Sequence, residues 1–311
     1  MPGIITITLN PAIDKTYHVK DLVPEHKLRC ANPLVEAGGG GINVSKGLQE
    51  LGASSQAVFF KGGRNGDHLL EILQNEHVDS RPITIQGETR ESLIILDHST
   101  DKEFRIVVEG PEISMAAFEE IIAFIETEKP EWIIASGSLP KGLPSNVYAI
   151  LAKKARLIGS KLILDTSGDA LRSALTEGVF MMKPNLKELS ILSGVESLTP
   201  EAAVEVAKKI IHEGKAEVVV ISMSAAGATL VTSDITQHAP SLPVEQRSTV
   251  GAGDSMVSGM VWALQQKKSL IEMLCWGIAC GSAATMNTGT QLFRKADAEE
   301  LFNRIGQKVN I

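Results

Sequence analysis

Along the whole chain, short apolar runs alternate with longer stretches whose apolar positions recur every three or four residues. The short runs, rich in Ile, Val and Leu and bounded by polar or glycine-rich signals, read as buried strands over Ile4–Leu9, Ala57–Phe60, Trp132–Ser136, Lys161–Leu164, Phe180–Met182 and Val218–Ser222. Helical periodicity predicts α-helices over Asn43–Leu51, Asp67–Glu76, Met115–Glu128, Ser145–Leu157, Pro200–Glu213 and Asp254–Gln265. Strands alternating with helices, without a linker, repeat or low-complexity segment, predict one α/β domain over residues 1–311, built on a mainly parallel sheet covered by helices.

Two segments break the alternation. Tyr17–Val35 holds short extended pieces with Lys27 and Arg29, and Arg90–Val108 reads as a hairpin: Ser92–Leu96, a polar turn at Asp97–Asp101, then Glu103–Val108. Together they predict a small separate β-sheet lid from segments about 14–36 and 88–109; peripheral decoration is the competing reading.

Each buried run ends in a polar or glycine-rich signature: Asn10-Pro11-Ala12-Ile13-Asp14, Gly137-Ser138-Leu139-Pro140, Asp165-Thr166-Ser167-Gly168, Lys183-Pro184-Asn185 and Ser222-Met223-Ser224. Open α/β sheets bind ligands at the carboxyl ends of their strands, so these signatures fall where one site forms.

Thr249-Val250-Gly251-Ala252-Gly253-Asp254-Ser255 precedes the last predicted helix. The open N–H groups and partial positive charge of a helix N-terminus suit a phosphate. A carboxylate placed beside that phosphate suits a base acting on a hydroxyl. A glycine turn with Asp254 as N-cap is the plainer alternative. Gly38-Gly39-Gly40-Gly41-Ile42-Asn43 also precedes a helix, but G-x-G-x-x-G fails in either register, which counts against a dinucleotide enzyme. Four glycines imply close backbone approach to a ligand or a neighbouring strand, and Asn43 offers a donor and an acceptor for sugar hydroxyls. Asp14 can accept from two hydroxyls, or be an exposed turn residue. Asn185 and Glu188, three apart at a helix start, can hold hydrated Mg²⁺ or simply cap the helix. Arg90, Arg105, Lys27 and Arg29 are the basic residues of the lid, suited to a substrate phosphate or to a solvated strand edge.

Composition narrows the class. Of 311 residues 43% are hydrophobic and the formal net charge is −7, which argues against nucleic-acid or anionic-membrane partners while leaving room for an anionic small molecule in a locally basic cleft. No apolar stretch approaches membrane-spanning length. Met1-Pro2-Gly3 runs directly into a strand-like segment, and the three cysteines, Cys30, Cys275 and Cys280, lack metal spacing, so a reducing cytoplasmic location is expected.

The motifs TLNPAID (8–14), GGGGINVSKGLQELGA (38–53), SGSLPKG (136–142), DTSG (165–168), KPNLKE (183–188) and TVGAGDS (249–255), in this order and spacing over essentially the whole chain, resemble those of the PfkB-type sugar kinases. The resemblance implies a ribokinase-like three-layer α/β/α sandwich with a β-sheet lid, ATP and Mg²⁺ as cofactors, and phosphorylation of a sugar alcohol. GGGGIN in place of the GGKGIN of the branches acting on fructose 1-phosphate and tagatose 6-phosphate, with KLRC (27–30), is similar to the branch that phosphorylates fructose 6-phosphate at its 1-hydroxyl. Those two substrates remain the nearest alternatives, and a sugar-phosphate sensor without catalysis is an alternative of another class.

By the same resemblance, Asp254 is the base, and Gly251, Ala252 and Gly253 form the anion hole. Asp14, Gly39, Gly40 and Asn43 grip the sugar; Arg90, Arg105 and Ser138 lie at its phosphate. Lys27 and Arg29 reach the site of a partner subunit in a homodimer formed through the lid. Lys183, Asn185 and Glu188 serve the ATP phosphates and Mg²⁺, the last two through water. Ser222, Ser224 and Gly227 line the nucleotide pocket, Ser224 standing where relatives commonly have glycine. A K⁺ site corresponds to Ser248, Val250, Ala284, Asn287, Gly289 and Gln291, with Gln291 in place of an arginine.

Overall fold

The computed structural model describes residues 3–100, 102–289 and 291–309; Asp101, the last residue of the expected hairpin turn, lies outside them. In chain order the first half comprises β1 (Ile4–Thr8), β2 (Ala12–Val19), β3 (Leu34–Gly38), α1 (Gly40–Glu50), β4 (Gln56–Lys61), α2 (Gly63–Asn75), β5 (Ser80–Thr84), β6 (Arg90–Asp97), β7 (Lys102–Val107), α3 (Met115–Glu128), β8 (Trp132–Ser136) and α4 (Val147–Ile158). The second half comprises β9 (Lys161–Asp165), α5 (Gly168–Ala174), β10 (Val179–Met182), α6 (Leu186–Ser193), α7 (Pro200–His212), β11 (Ala216–Ser222), β12 (Ala228–Val231), β13 (Thr236–Ala239), α8 (Ala252–Gln265), α9 (Leu270–Ala284) and α10 (Lys295–Val309).

The large sheet runs β13-β12-β11-β10-β9-β8-β1-β4-β5. Neighbours from β11 to β5 are parallel, and β12 and β13 add an antiparallel edge. Both faces are buried, as parallel sheets require. Because side chains alternate along a strand, Ile133 and Ala135 of β8 join a core with α3, α4 and α7, whereas Trp132 and Ile134 join another with α1, α8, α9 and α10. The result is a ribokinase-like α/β/α arrangement.

A second, four-stranded sheet runs β3-β2-β6-β7. Its β2–β6 pair is parallel, from Ala12↔Arg90 to Val19↔Asp97, and β2–β3 and β6–β7 are antiparallel. It leaves the main sheet at the Asn10–Pro11 step and returns at Gly38, so both of its inner strands start beside the carboxyl end of β1.

One helix contact positions the site. Gly47 of α1 sits against Ser258 of α8, where any Cβ would overlap the serine hydroxyl. Ser258 Oγ also donates to the carbonyl of Val44 at 3.3 Å. The two N-termini therefore open side by side over β1 and β8. The start of α1 corrects the expected boundary: the helix begins at Gly40, three residues before Asn43, because the glycines themselves form its first turn.

Candidate active site

Helix α8 begins at Ala252, capped by the backbone of Gly251, whose φ of 74° is a left-handed conformation that suits glycine. Asp254 lies in the first turn and not at the cap position, so its carboxylate is free for other partners. Asn43 Nδ2 donates to Asp254 Oδ2 at 2.9 Å and Ser136 Oγ donates to Oδ1 at 3.2 Å. Burial, and then the charge of Asp165, push the Asp254 carboxyl above the usual carboxylate range, while Asn43, Lys183 and Ser136 pull the other way.

Lys183, only 7% exposed, places Nζ 3.1 Å from Asp165 Oδ1. Burial opposes its charge, but Asp165, Glu188 and Asp254 together outweigh that and hold its ammonium above the ordinary lysine range. Lys183 Nζ also lies 3.6 Å from the position a Cβ would take at Gly253. A retained cation thus stands beside the open first turn of α8, the arrangement that accepts an anionic group next to a carboxylate.

On the lid side, Asp14 lies inside β2, opposite Glu36 and Ser92, and is not the exposed turn residue of the plainer reading. Burial is the chief cause raising its carboxyl to about 6; Arg90 and the Ser92 hydrogen bond lower it and Glu36 raises it. Arg90 directs its guanidinium to the carbonyl of Asn10, with Nη2 at 3.0 Å, while Asn10 Nδ2 donates to Ser138 Oγ at 3.2 Å. Asn10 thereby links two residues assigned to the phosphate end, a role its place in TLNPAID did not disclose. Arg105 of β7 pairs with Glu103 and reaches Thr249 Oγ1 at 3.5 Å. Ser248 Oγ contacts Glu103 Oε2 at 3.5 Å, so the lid touches the loop leading into α8 at two points. Lys27 and Arg29 are exposed on the irregular connection between β2 and β3, so the extended pieces expected over Tyr17–Val35 are confined to its two ends, in β2 up to Val19 and in β3 from Leu34. Among the described residues, no hydrogen bond or ion pair joins either of them to the cluster around Asp254.

Gly39 and Gly40 pack on β1 and β8, since a Cβ on Gly39 would meet Thr8 and one on Gly40 would meet Ser136. Close approach to neighbouring strands, one of the two readings left open, is therefore a real constraint on this run.

Asn185 and Glu188 form a reciprocal capping box at the start of α6: Asn185 Oδ1 accepts from the Glu188 amide and Glu188 Oε2 from the Asn185 amide, each at 2.9 Å. Asn185 also bridges to Ser222 at the end of β11. Ser224 opens a short 3₁₀ turn with φ of 50°, and Gly227 closes it with φ of 93°. Among the described residues, no group of three or more His, Cys, Asp or Glu side chains could hold a metal ion directly.

The loop holding Ser248 and Val250 is tied to the end of α9, because the amides of Arg247 and Ser248 both donate to the Thr285 carbonyl. The Ala284 carbonyl accepts from the Asn287 amide at 3.2 Å, Asn287 Nδ2 donates to the Leu292 carbonyl at 2.6 Å, and Gly289 packs on Thr16 of the lid. Gln291 is exposed. Ser136, Asp165 and Asn10 complete the cluster without having been singled out in the sequence, although all three lie inside its motifs.

None of the described helices is long and apolar enough to cross a membrane. Residues 5–297 match the model of the pfkB family carbohydrate kinases. The chain is 38% identical to the ATP-dependent 6-phosphofructokinase isozyme 2 of Escherichia coli (strain K12) over 304 residues, 97% of this chain and 98% of that protein. The crystal structure of phosphofructokinase-2 from Escherichia coli in complex with potassium is similar at a TM-score of 0.94 and 36% identity, covering 98% of this chain and all of that one, 100%. The same enzyme in complex with fructose-6-phosphate gives 0.92 and 35%, over 98% and 100% of the two chains.

Proposed function

Because the chain belongs to the pfkB family of carbohydrate kinases, we propose that it transfers a phosphoryl group from ATP to the 1-hydroxyl of fructose 6-phosphate, giving fructose 1,6-bisphosphate. The observation that carries this reading is the Asp254 carboxylate, held by Asn43 and Ser136 in the first turn of α8 beside the buried Lys183.

Asp254 takes the proton of the attacking hydroxyl, and its raised carboxyl brings its basicity nearer to neutral pH. The backbone of Gly251, Ala252 and Gly253 stabilises charge on the transferring group. When bound, ATP supplies the phosphoryl group and Mg²⁺ shields its charge. Lys183 binds the phosphates, while Asn185 and Glu188, held in place by the capping box through Oδ1 and Oε2, act on Mg²⁺ through water. Ser222, Ser224 and Gly227 flank the nucleotide. Asp14, Gly39, Gly40 and Asn43 hold the sugar, with Arg90, Arg105 and Ser138 at its phosphate. The Ser248–Val250 loop and the end of α9, with Ala284, Asn287, Gly289 and Gln291, hold K⁺.

The chain pairs as a homodimer through the lid, which brings Lys27 and Arg29 to the partner's site. The exposed apolar side chains of Phe104, Ile106, Val107 and Val108 on and beyond β7 support that surface.

The test is turnover of fructose 6-phosphate, fructose 1-phosphate and tagatose 6-phosphate with ATP and Mg²⁺, with and without K⁺. We expect kcat/KM to be highest for fructose 6-phosphate. A higher value for either other sugar overturns the substrate assignment, and binding of all three without turnover makes the chain a sensor.

A further inference from the structure

We propose that Ser136 is a positioning residue for the base: its hydroxyl, reaching Asp254 from the last residue of β8, orients the carboxylate and keeps it ionised for proton transfer. This rests on the assignment of Asp254 as the base.

Three observations carry it. Each oxygen of Asp254 receives one donor, Ser136 Oγ on Oδ1 and Asn43 Nδ2 on Oδ2, and the two donors come from different elements, so together they fix the plane of the carboxylate. Ser136 is only 2% exposed, which leaves its side chain little reach toward a substrate and makes Asp254 its partner of consequence. Finally, α1 is built around this hydroxyl. A Cβ at Gly40 would overlap Ser136 Oγ and lie 2.9 Å from the serine carbonyl carbon. Glycine at the first position of α1 therefore lets the serine keep the rotamer that faces Asp254.

The electrostatics agree with the geometry. Four charged or titratable groups stand together here: Asp254 on α8, Asp165 at the end of β9, Lys183 just after β10, and Glu188 on α6, which acts on Lys183. Burial and then Asp165 favour the protonated acid, whereas the Asn43 hydrogen bond, Lys183 and the Ser136 hydrogen bond favour the carboxylate. Asn43 is also assigned to the sugar and is drawn two ways on binding. Ser136 has no such second task, so it is the constant donor.

The experiment is a kinetic double-mutant cycle with pH profiles. Ser136→Ala should lower kcat by about 10- to 100-fold, the worth of a hydrogen bond to a charged group. KM for sugar phosphate and ATP should stay within about twofold, as for an interaction that acts on the chemical step. The acid limb of the kcat profile should move to higher pH, because the neutral acid is no longer disfavoured. Ser136→Cys, which keeps a weak donor of similar size, should lie between the two. In an Asp254→Asn background, Ser136→Ala should cost nothing further, since the residue acts through the carboxylate. Thermal melts of all variants separate misfolding from loss of positioning. An equal loss from Ser136→Ala in both backgrounds, or an acid limb that stays put in both serine variants, overturns the proposal. An Asp254→Asn enzyme as active as wild type removes the base assignment itself, a distinct outcome.

Discussion

Asn43 and Asp254, 211 residues apart in the chain, meet through a hydrogen bond of 2.9 Å from Nδ2 to Oδ2. The contact joins the first turn of α1, which leaves the lid sheet, to the first turn of α8, which carries the proposed base. It exists because Gly47 and Ser258 let the two helices approach closely. In the proposed reaction, one side chain thereby couples sugar binding to the base.

Asp254→Asn should lower kcat by roughly two to four orders of magnitude, the usual worth of a positioned base, with little change in either KM. In the wild type, burial and Asp165 hold the Asp254 carboxyl above the usual carboxylate range. A base works only when ionised, so activity should fall on the acid side at a pH higher than an ordinary carboxylate would give. Steady-state kinetics across pH check both statements. Turnover near the wild-type level in the asparagine variant would remove Asp254 from this role.

Asp14→Asn should separate stability from binding. The Asp14 carboxyl is raised from 3.8 to about 6, chiefly by burial. The folded state therefore holds a proton that the unfolded state has released across that interval. This group's contribution to stability consequently rises as pH falls through about 6 and is lowest above it. Removing the charge should stabilise the fold near neutral pH by up to about 3 kcal/mol, the worth of a shift from 3.8 to about 6 in which the Arg90 attraction is already included. Near pH 5 the benefit should shrink. Melting curves at several pH values test the stability claim, and a raised KM for the sugar phosphate accompanies it if Asp14 grips the sugar.

Arg90→Ala should raise KM for the sugar phosphate by about 10- to 100-fold, the range for a charge-assisted contact. Sugars without a phosphate should be unaffected in relative terms. Because Arg90 also holds the Asn10 carbonyl, a modest loss of thermal stability is expected as well. Equal losses for phosphorylated and plain sugars would show that the arginine only braces the turn.

The layered architecture was legible because the central strands of the large sheet are mostly apolar and their carboxyl ends carry distinctive polar signatures. Helix α9 was not, since Met273 to Cys280 are all buried and leave no polar face to set a period. Strand β5, Ser-Arg-Pro-Ile-Thr, is an edge strand with a proline and little apolar alternation, so it too escaped. The candidate site residues were legible as types within motifs. Their pairing was not, because Asn43, Ser136 and Asp254 are brought together by helix packing across the sheet, which no local spacing encodes. The glycine run shows the same limit. Its composition announced close approach, but only the structure identifies Thr8 and Ser136 as the neighbours.

Ser224→Gly should stabilise the protein. The residue starts the 3₁₀ turn between β11 and β12 with φ of 50°, a left-handed conformation that costs a residue bearing a Cβ roughly 1 kcal/mol. Its side chain is exposed, so little packing is lost on its removal. Glycine adopts this φ freely but also gains freedom in the unfolded chain, which returns part of the benefit. The net effect should be an increase in Tm of about 1–2 °C for a chain of this size. Ser224→Ala, which keeps the Cβ and loses only the hydroxyl, should leave Tm unchanged. A glycine variant no more stable than the alanine variant would mean that the serine hydroxyl, and not glycine's conformational freedom, governs this turn.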